Sequence, residues 1–206
     1  MNFDTPLFLQ INEFARATPW LHGIVLAYAN DGIVLFALLM LAGWWVARRA
    51  ADPLVMGRAI WAPLGMALAL AVNQLFVAEV GEPRPYTSLS GLLVLAHHSH
   101  DPSFPSDHAV MAGAVAAGLF GVSRGLGWLA TIAAAVMAFA RIYIAAHYPH
   151  DVAAGLVVGA VISMLGYLAL RRILAWLVSL VESTPLRWVL TSAPAASVGR
   201  SHALEG

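Results

Sequence analysis

Three short polar runs stand out in an otherwise apolar chain. They are Gly81-Glu82-Pro83-Arg84-Pro85-Tyr86, Ser103-Phe104-Pro105-Ser106-Asp107-His108, and the set Arg141, His147, Pro149 and Asp151. Arg141 is flanked by Ala138-Phe139-Ala140 and Ile142-Tyr143-Ile144. An arginine there is costly unless it faces protein or a polar cavity; the alternative is a side chain snorkelling from near a helix end. Ser106 and Asp107 follow Pro105, which suits a helix start. The free N–H groups and dipole of such a start form an anion site, unless the serine is merely a cap. His147 precedes a proline-started segment, with the Asp151 carboxylate four residues on. That spacing suits a nucleophile or base oriented through its second ring nitrogen. Two arginines and a helix N-terminus describe a receptor for a tetrahedral, multiply charged oxyanion, phosphate before carboxylate. His147 and His108 then supply a nucleophile and an acid. No Asp/Glu cluster is arranged for magnesium, so the chemistry expected is phosphoryl transfer through a phosphohistidine, without metal or cofactor.

The elements that must hold these residues are membrane helices. Of 206 residues, 60% are hydrophobic and only 11% charged, against about 25% charged in a soluble globular domain. That leaves too little polar surface for a water-soluble particle. Five apolar segments, approximately 22–47, 59–80, 106–122, 127–146 and 152–170, approach the roughly 20 residues a spanning helix needs, the third being short. The fold expected is an all-α polytopic bundle of about five transmembrane helices plus an N-terminal helix. Gly113, Gly118, Gly155 and Gly159 suit close helix–helix approach.

All 11 basic residues are arginine, so Schiff-base and lysine-nucleophile mechanisms are excluded; the absence of cysteine excludes disulfides and thiol chemistry. Eleven acidic residues balance the charge, and no basic run is long enough for a nucleic-acid backbone. Arg48, Arg49, Arg58, Arg124, Arg171 and Arg172 all fall on one face of an alternating topology. The positive-inside rule makes that face cytoplasmic, with the C-terminus inside and all three polar runs outside. Met1–Pro19 lacks the pattern of a cleavable signal peptide. Residues 6–17, with Thr5 as a possible cap, read as an amphipathic helix in the outer interface, within a segment 1–20; the alternative is a sixth, short buried helix. Residues 21–172 form the membrane domain. Residues 173–206 form a cytoplasmic segment in which Ile173–Val181 is too short to span and Thr191–Gly206 has a disordered composition.

At these residues the chain resembles the type 2 phosphatidic acid phosphatase (PAP2) superfamily, whose signature is K-x6-RP, PSGH and SR-x5-H-x3-D. The second motif reads Pro105-Ser106-Asp107-His108 here. The third reads Ala140-Arg141, five residues, His147, three residues, Asp151, and the first retains Arg84-Pro85. Glu82-Pro83-Arg84-Pro85 and Ser103-Phe104-Pro105-Ser106-Asp107-His108 are similar to the bacitracin-resistance type of undecaprenyl-diphosphate phosphatase. The resemblance implies that His147 attacks phosphorus, Asp151 orients it, and His108 protonates the leaving oxygen. Arg84, Arg141, the Ser106 hydroxyl and the Asp107 N–H would hold the phosphoryl group. The implied substrate is a lipid diphosphate at the outer face of the cell membrane, the alternatives being glycerolipid phosphates or a non-enzymatic transporter. Oligomeric state is not readable.

Three positions depart from the signature: Val77 replaces the lysine, Asp107 the glycine and Ala140 the serine. The first removes a cation. His97, His98, His100 and Asp101 in the same outer loop could restore positive charge, hold zinc, or be solvated loop residues. Asn73 and Gln74 read as interhelical hydrogen-bonding groups, and Glu79 as a secondary site candidate.

Overall fold

The computed structural model describes residues 4–192. Its elements are α1 (Thr5–Ala17), a 3-10 turn (Pro19–Leu21), α2 (His22–Asp31), α3 (Ile33–Ala50), α4 (Pro53–Val80), α5 (Pro85–Ser88), α6 (Asp107–Phe120), α7 (Arg124–Tyr143), α8 (Pro149–Glu182) and α9 (Arg187–Leu190). No strand occurs among the described residues. The all-α membrane bundle is as expected. Large apolar side chains point outward along its helices, among them Leu38, Leu41, Leu75, Trp128, Ile132, Val157 and Leu165. Such a surface belongs in hydrocarbon.

Among the described residues, four helical stretches are long and apolar enough to cross a membrane: Ile33–Ala50, Pro53–Ser88, Arg124–Tyr143 and Pro149–Glu182. The remaining expected span, 106–122, is α6, with 14 residues. That is about 21 Å of helix against a hydrocarbon core of about 30 Å. It tolerates the shortfall because it is the central helix, enclosed by α4, α7 and α8, with every residue from Ala109 to Ala116 buried. Glycine makes this enclosure possible. A Cβ on Gly113 would strike the Leu156 backbone, and one on Gly159 the Val110 carbonyl, so α6 and α8 touch along their backbones.

Several boundaries differ from expectation for local reasons. The span expected at 22–47 carries a tightened turn at Gly32, where any Cβ would meet the Tyr28 carbonyl and Met137. Helix α4 begins earlier, at Pro53, because the Asp52 carboxylate accepts the Leu54 N–H at 2.8 Å. It ends at Gly81, whose φ of +59° suits glycine, and this releases the Glu82–Pro85 turn. Helix α8 runs unbroken past Arg172 to Glu182. Ile173–Val181 is therefore its last turns, with Leu174 and Val178 buried and Val178 packed on Ala47, Met56 and Ala59. The expected boundary at 172 lies inside this helix.

Helix α1 forms where expected, but Thr5 is its first residue and not its cap. Phe8, Asn12 and Ala15 face the bundle while Leu7 and Phe14 are exposed. Asn12 exchanges two hydrogen bonds with the Leu93 backbone, at 2.8 and 3.0 Å, tying α1 to the long 89–106 loop. At the opposite end of the bundle Arg48 donates to the Trp188 carbonyl and Arg58 to that of Gly121. Ser192 N–H also bonds the Arg48 carbonyl; the remainder of the segment expected to be disordered, 193–206, lies outside the described residues.

Candidate active site

Three helix ends and the turn after α4 build one cleft. Helix α7 delivers Arg141 from its last turn. The chain then turns sharply, with Ala145 at φ +64° and the Ala146 N–H bonded to the Arg141 carbonyl at 3.1 Å. A left-handed alanine costs about 1–3 kcal/mol, and here it points the chain back so that His147 faces Arg141. Pro149 opens α8, and Asp151 caps it by accepting the Tyr148 N–H at 2.7 Å. Arg84 lies in the turn beyond α4, fixed by its Nε–H to the Asp101 carbonyl (2.9 Å) and Nη1–H to that of Ala146 (3.2 Å).

The resulting cleft, about 340 Å³, is lined by Arg84, Asp107, His108, Arg141 and His147, together with Gln74 and Val77 from α4. Five of the seven expected site residues therefore share one wall. Ser106 and Asp151 do not line it; both are fully buried, and the Ser106 N–H donates to the Asp151 carbonyl at 3.2 Å. Ser106 Oγ has no hydrogen-bond partner and does not cap α6.

His147 is 3% exposed. Its Nδ1 lies 2.8 Å from the Ser103 carbonyl, which can only accept, so Nδ1 carries the proton. The lone pair on Nε2 is left facing Arg84 Nη1 at 3.3 Å and Arg141 Nη2 at 3.5 Å. Burial is the main cause lowering the His147 pKa to about 4. Arg141 and Arg84 lower it further, against the opposing pull of Asp151. The imidazole is neutral at neutral pH, with its free nitrogen turned toward two guanidinium groups.

Asp151 Oδ2 sits 3.5 Å from His147 Nδ1, longer than a hydrogen bond. Ser103 bridges the gap: its hydroxyl donates to Asp151 Oδ2 and lies 3.3 Å from Nδ1. Ser103, fully buried, was visible within the second polar run but carried no feature that distinguished it from a loop serine. Asp107 turns its Oδ1 to the Asn73 and Gln74 amides of α4, at 2.7 and 3.1 Å, which hold its charge in place. Arg141 also donates to the Ala29 carbonyl, linking the cleft to α2.

Val77 reaches the cleft wall, so the missing cation is missing where it would act. His97, His98 and His100 are exposed and do not line the cleft, and His98 stacks on the Tyr86 ring at 4.6 Å. Asp101 does line it. Glu79 is exposed away from the lining.

The sequence model of the PAP2 superfamily matches residues 58–175, which contain all seven expected site residues. The chain belongs to the PAP2 superfamily. It is 31% identical to undecaprenyl-diphosphatase BcrC of Bacillus subtilis, over 80% of this chain and 82% of that protein. It is 30% identical to the putative undecaprenyl-diphosphatase YbjG of Escherichia coli, over 78% and 79% of the two chains. Among solved structures, LpxE of Aquifex aeolicus is 26% identical with a TM-score of 0.57, covering 80% of this chain and 94% of that one. A PAP2-type phosphatidylglycerolphosphate phosphatase of Bacillus subtilis, 18% identical, shares the fold with a TM-score of 0.59, covering 80% and 85%. The protein is thus a membrane phosphatase of this superfamily.

Proposed function

We propose that this PAP2 phosphatase hydrolyses undecaprenyl diphosphate to undecaprenyl phosphate and inorganic phosphate at the outer face of the cell membrane. The observation that carries this reading is the state of His147: neutral, its Nδ1–H fixed on the Ser103 carbonyl, its Nε2 against two guanidiniums in a cleft. The similarity to named undecaprenyl-diphosphatases supports the lipid.

Arg84, Arg141 and the Asp107 N–H at the start of α6 hold the terminal phosphoryl group; the Ser106 hydroxyl, buried behind the lining with no partner, would join them by turning into the cleft. Nε2 of His147 forms a bond to phosphorus as the bond to the bridging oxygen breaks. The departing undecaprenyl phosphate takes a proton from His108. Water, deprotonated by the same histidine, then cleaves the phosphohistidine and restores both side chains. Asp151, through Ser103, stabilises the positive charge that develops on His147. No cofactor or metal takes part in these steps. Residues 21–172 constitute the phosphatase domain, α1 (within 1–20) lies along the outer interface, and 173–206 is cytoplasmic. The lipid tail stays in hydrocarbon while its headgroup enters the cleft.

Purified protein in detergent should hydrolyse undecaprenyl diphosphate at least about tenfold more efficiently than phosphatidic acid, roughly 1.4 kcal/mol at the transition state. His147→Ala should abolish turnover. Equal efficiency on the two lipids would reject the substrate; full activity in His147→Ala would reject the mechanism.

A further inference from the structure

Beside the cleft lies a second cluster, built around His150, that shares Asp151 with the chemistry above. Its backbone N–H donates to Asp4 Oδ2 at 2.6 Å, and its Nδ1 lies 3.1 Å from both Asp4 oxygens. Its Nε2 lies 2.9 Å from Glu82 Oε2 and 3.1 Å from Asp151 Oδ1. The Phe104 and Tyr148 rings stack against the imidazole, at 5.6 and 5.7 Å, and hold it in plane. Three carboxylates from three distant parts of the chain thus converge on one imidazole, an excess of negative charge in a largely enclosed place.

We propose that Glu82, His150 and Asp151 form a binding site for a divalent transition cation of the zinc class, with Asp4 orienting the histidine. The three ligand atoms lie within 4.8 Å of one another, close enough to share one ion. An imidazole nitrogen with two carboxylate oxygens is a donor set for zinc and its neighbours, whereas calcium and magnesium prefer oxygen alone. A ligating histidine typically donates its other ring N–H to a carboxylate, the position Asp4 occupies here. Asp151 provides an independent indication. It is fully buried, and its Oδ1 accepts no hydrogen bond although it lies 3.1 Å from His150 Nε2 in the cluster. The other oxygen, Oδ2, serves Ser103 and the Tyr148 N–H. The ion would occupy the side of Asp151 away from His147. It would clasp the start of α1, the turn that carries Arg84 and the first turn of α8, and through Asp151 it would draw on the carboxylate charge behind His147.

The test uses the untagged full chain in detergent, stripped with chelator and titrated with Zn2+ against a chromophoric chelator. One equivalent per chain should compete for the metal. His150→Ala and Glu82→Gln should each weaken it at least about tenfold, and Asp4→Asn severalfold, while the combined His97→Ala, His98→Ala, His100→Ala variant retains it. No competing equivalent, or one lost only in the loop-histidine variant, would overturn the site. Should the site variants fail to fold, the combined variant His22→Ala, His97→Ala, His98→Ala, His100→Ala, His108→Ala, His147→Ala, His202→Ala, which keeps His150 alone, loaded with one equivalent of Cu2+ still decides it. Pulsed EPR should then show the remote nitrogen of a single imidazole, and none or several would refute the proposal.

Discussion

Replacing Ser103 with alanine separates the two supports of the proposed nucleophile. The side chain is fully buried, and its hydroxyl donates to Asp151 Oδ2 while lying 3.3 Å from His147 Nδ1. The backbone carbonyl that accepts the Nδ1–H at 2.8 Å survives the substitution, so His147 keeps its tautomer and orientation. What disappears is the link from the imidazole to the carboxylate. A hydrogen bond to a charged group contributes about 1.5–3 kcal/mol. Asp151 Oδ2 retains the Tyr148 N–H at 2.7 Å, which places the loss at the low end of that range. If about 1.4 kcal/mol of it is felt only as positive charge grows on His147, kcat falls about tenfold. KM should stay within about twofold, because Ser103 does not line the cleft. Steady-state hydrolysis by Ser103→Ala, with the thermal midpoint measured in parallel, checks this. Unchanged kcat would show that the bridge contributes nothing. A loss as deep as that of His147→Ala, in protein that remains folded, would show that the carbonyl alone does not position the imidazole.

Two other predictions follow from the same geometry. The groups facing His147 are Arg84, Arg141, Ser103 and Asp151, and burial with the two arginines lowers its pKa to about 4 from 6.5. On the proposed mechanism neutral His147 is the nucleophile while His108 must carry a proton, so the acid limb of kcat/KM, corrected for titration of the substrate, should fall near pH 4, apart from a basic limb set by His108. A histidine of ordinary basicity would already have lost about 30-fold at pH 5, and such a loss would contradict the assignment. The chain has no cysteine, so Ser88→Cys and Ser123→Cys report sidedness cleanly. The first should react with an impermeant thiol reagent outside intact cells and the second should not; the reverse pattern would place the cleft in the cytoplasm.

Much of the bundle could be read from the chain because membrane helices declare themselves locally. Apolar length marks the spans, and the punctuation at Gly81, Pro85, Pro105 and Pro149 marks where they stop and start. Arg141 was conspicuous because hydrocarbon penalises it. The third motif's spacing also placed His147 and Asp151 on adjoining turns, where the structure puts them. What could not be read depends on contacts between distant segments. Ser103 meets His147 and Asp151 across 44 and 48 residues. Asp4 meets His150 across 146, and no spacing rule reaches so far. The arginine pair at 171–172 resembled the end of a span, but its side chains are exposed while α8 continues on the packing of Leu174 and Val178. The loop histidines attracted notice by clustering in sequence, yet they line no part of the cleft.

The charge of the cleft bears on how such a site could work without the superfamily's lysine. Its fixed cations are Arg84 and Arg141. Asp107, held by Asn73 and Gln74, and Asp101 offset them along the same lining, and Val77 presents hydrocarbon. With the histidines neutral, the formal charge along the lining is therefore balanced, and the loop histidines do not add to it at the cleft. A soluble phosphate ester would find little here to concentrate it. A lipid diphosphate differs, because the membrane holds its tail and brings the headgroup to the cleft mouth whatever the headgroup itself binds. Affinity is then supplied by hydrocarbon, and tight ground-state capture of phosphate would only slow turnover. The two guanidiniums and the α6 N-terminus can instead act on the charge that appears as phosphorus leaves its bridging oxygen. On this view Val77 is tolerable because the substrate arrives by way of the bilayer, and a water-soluble phosphate ester should be the poorest substrate.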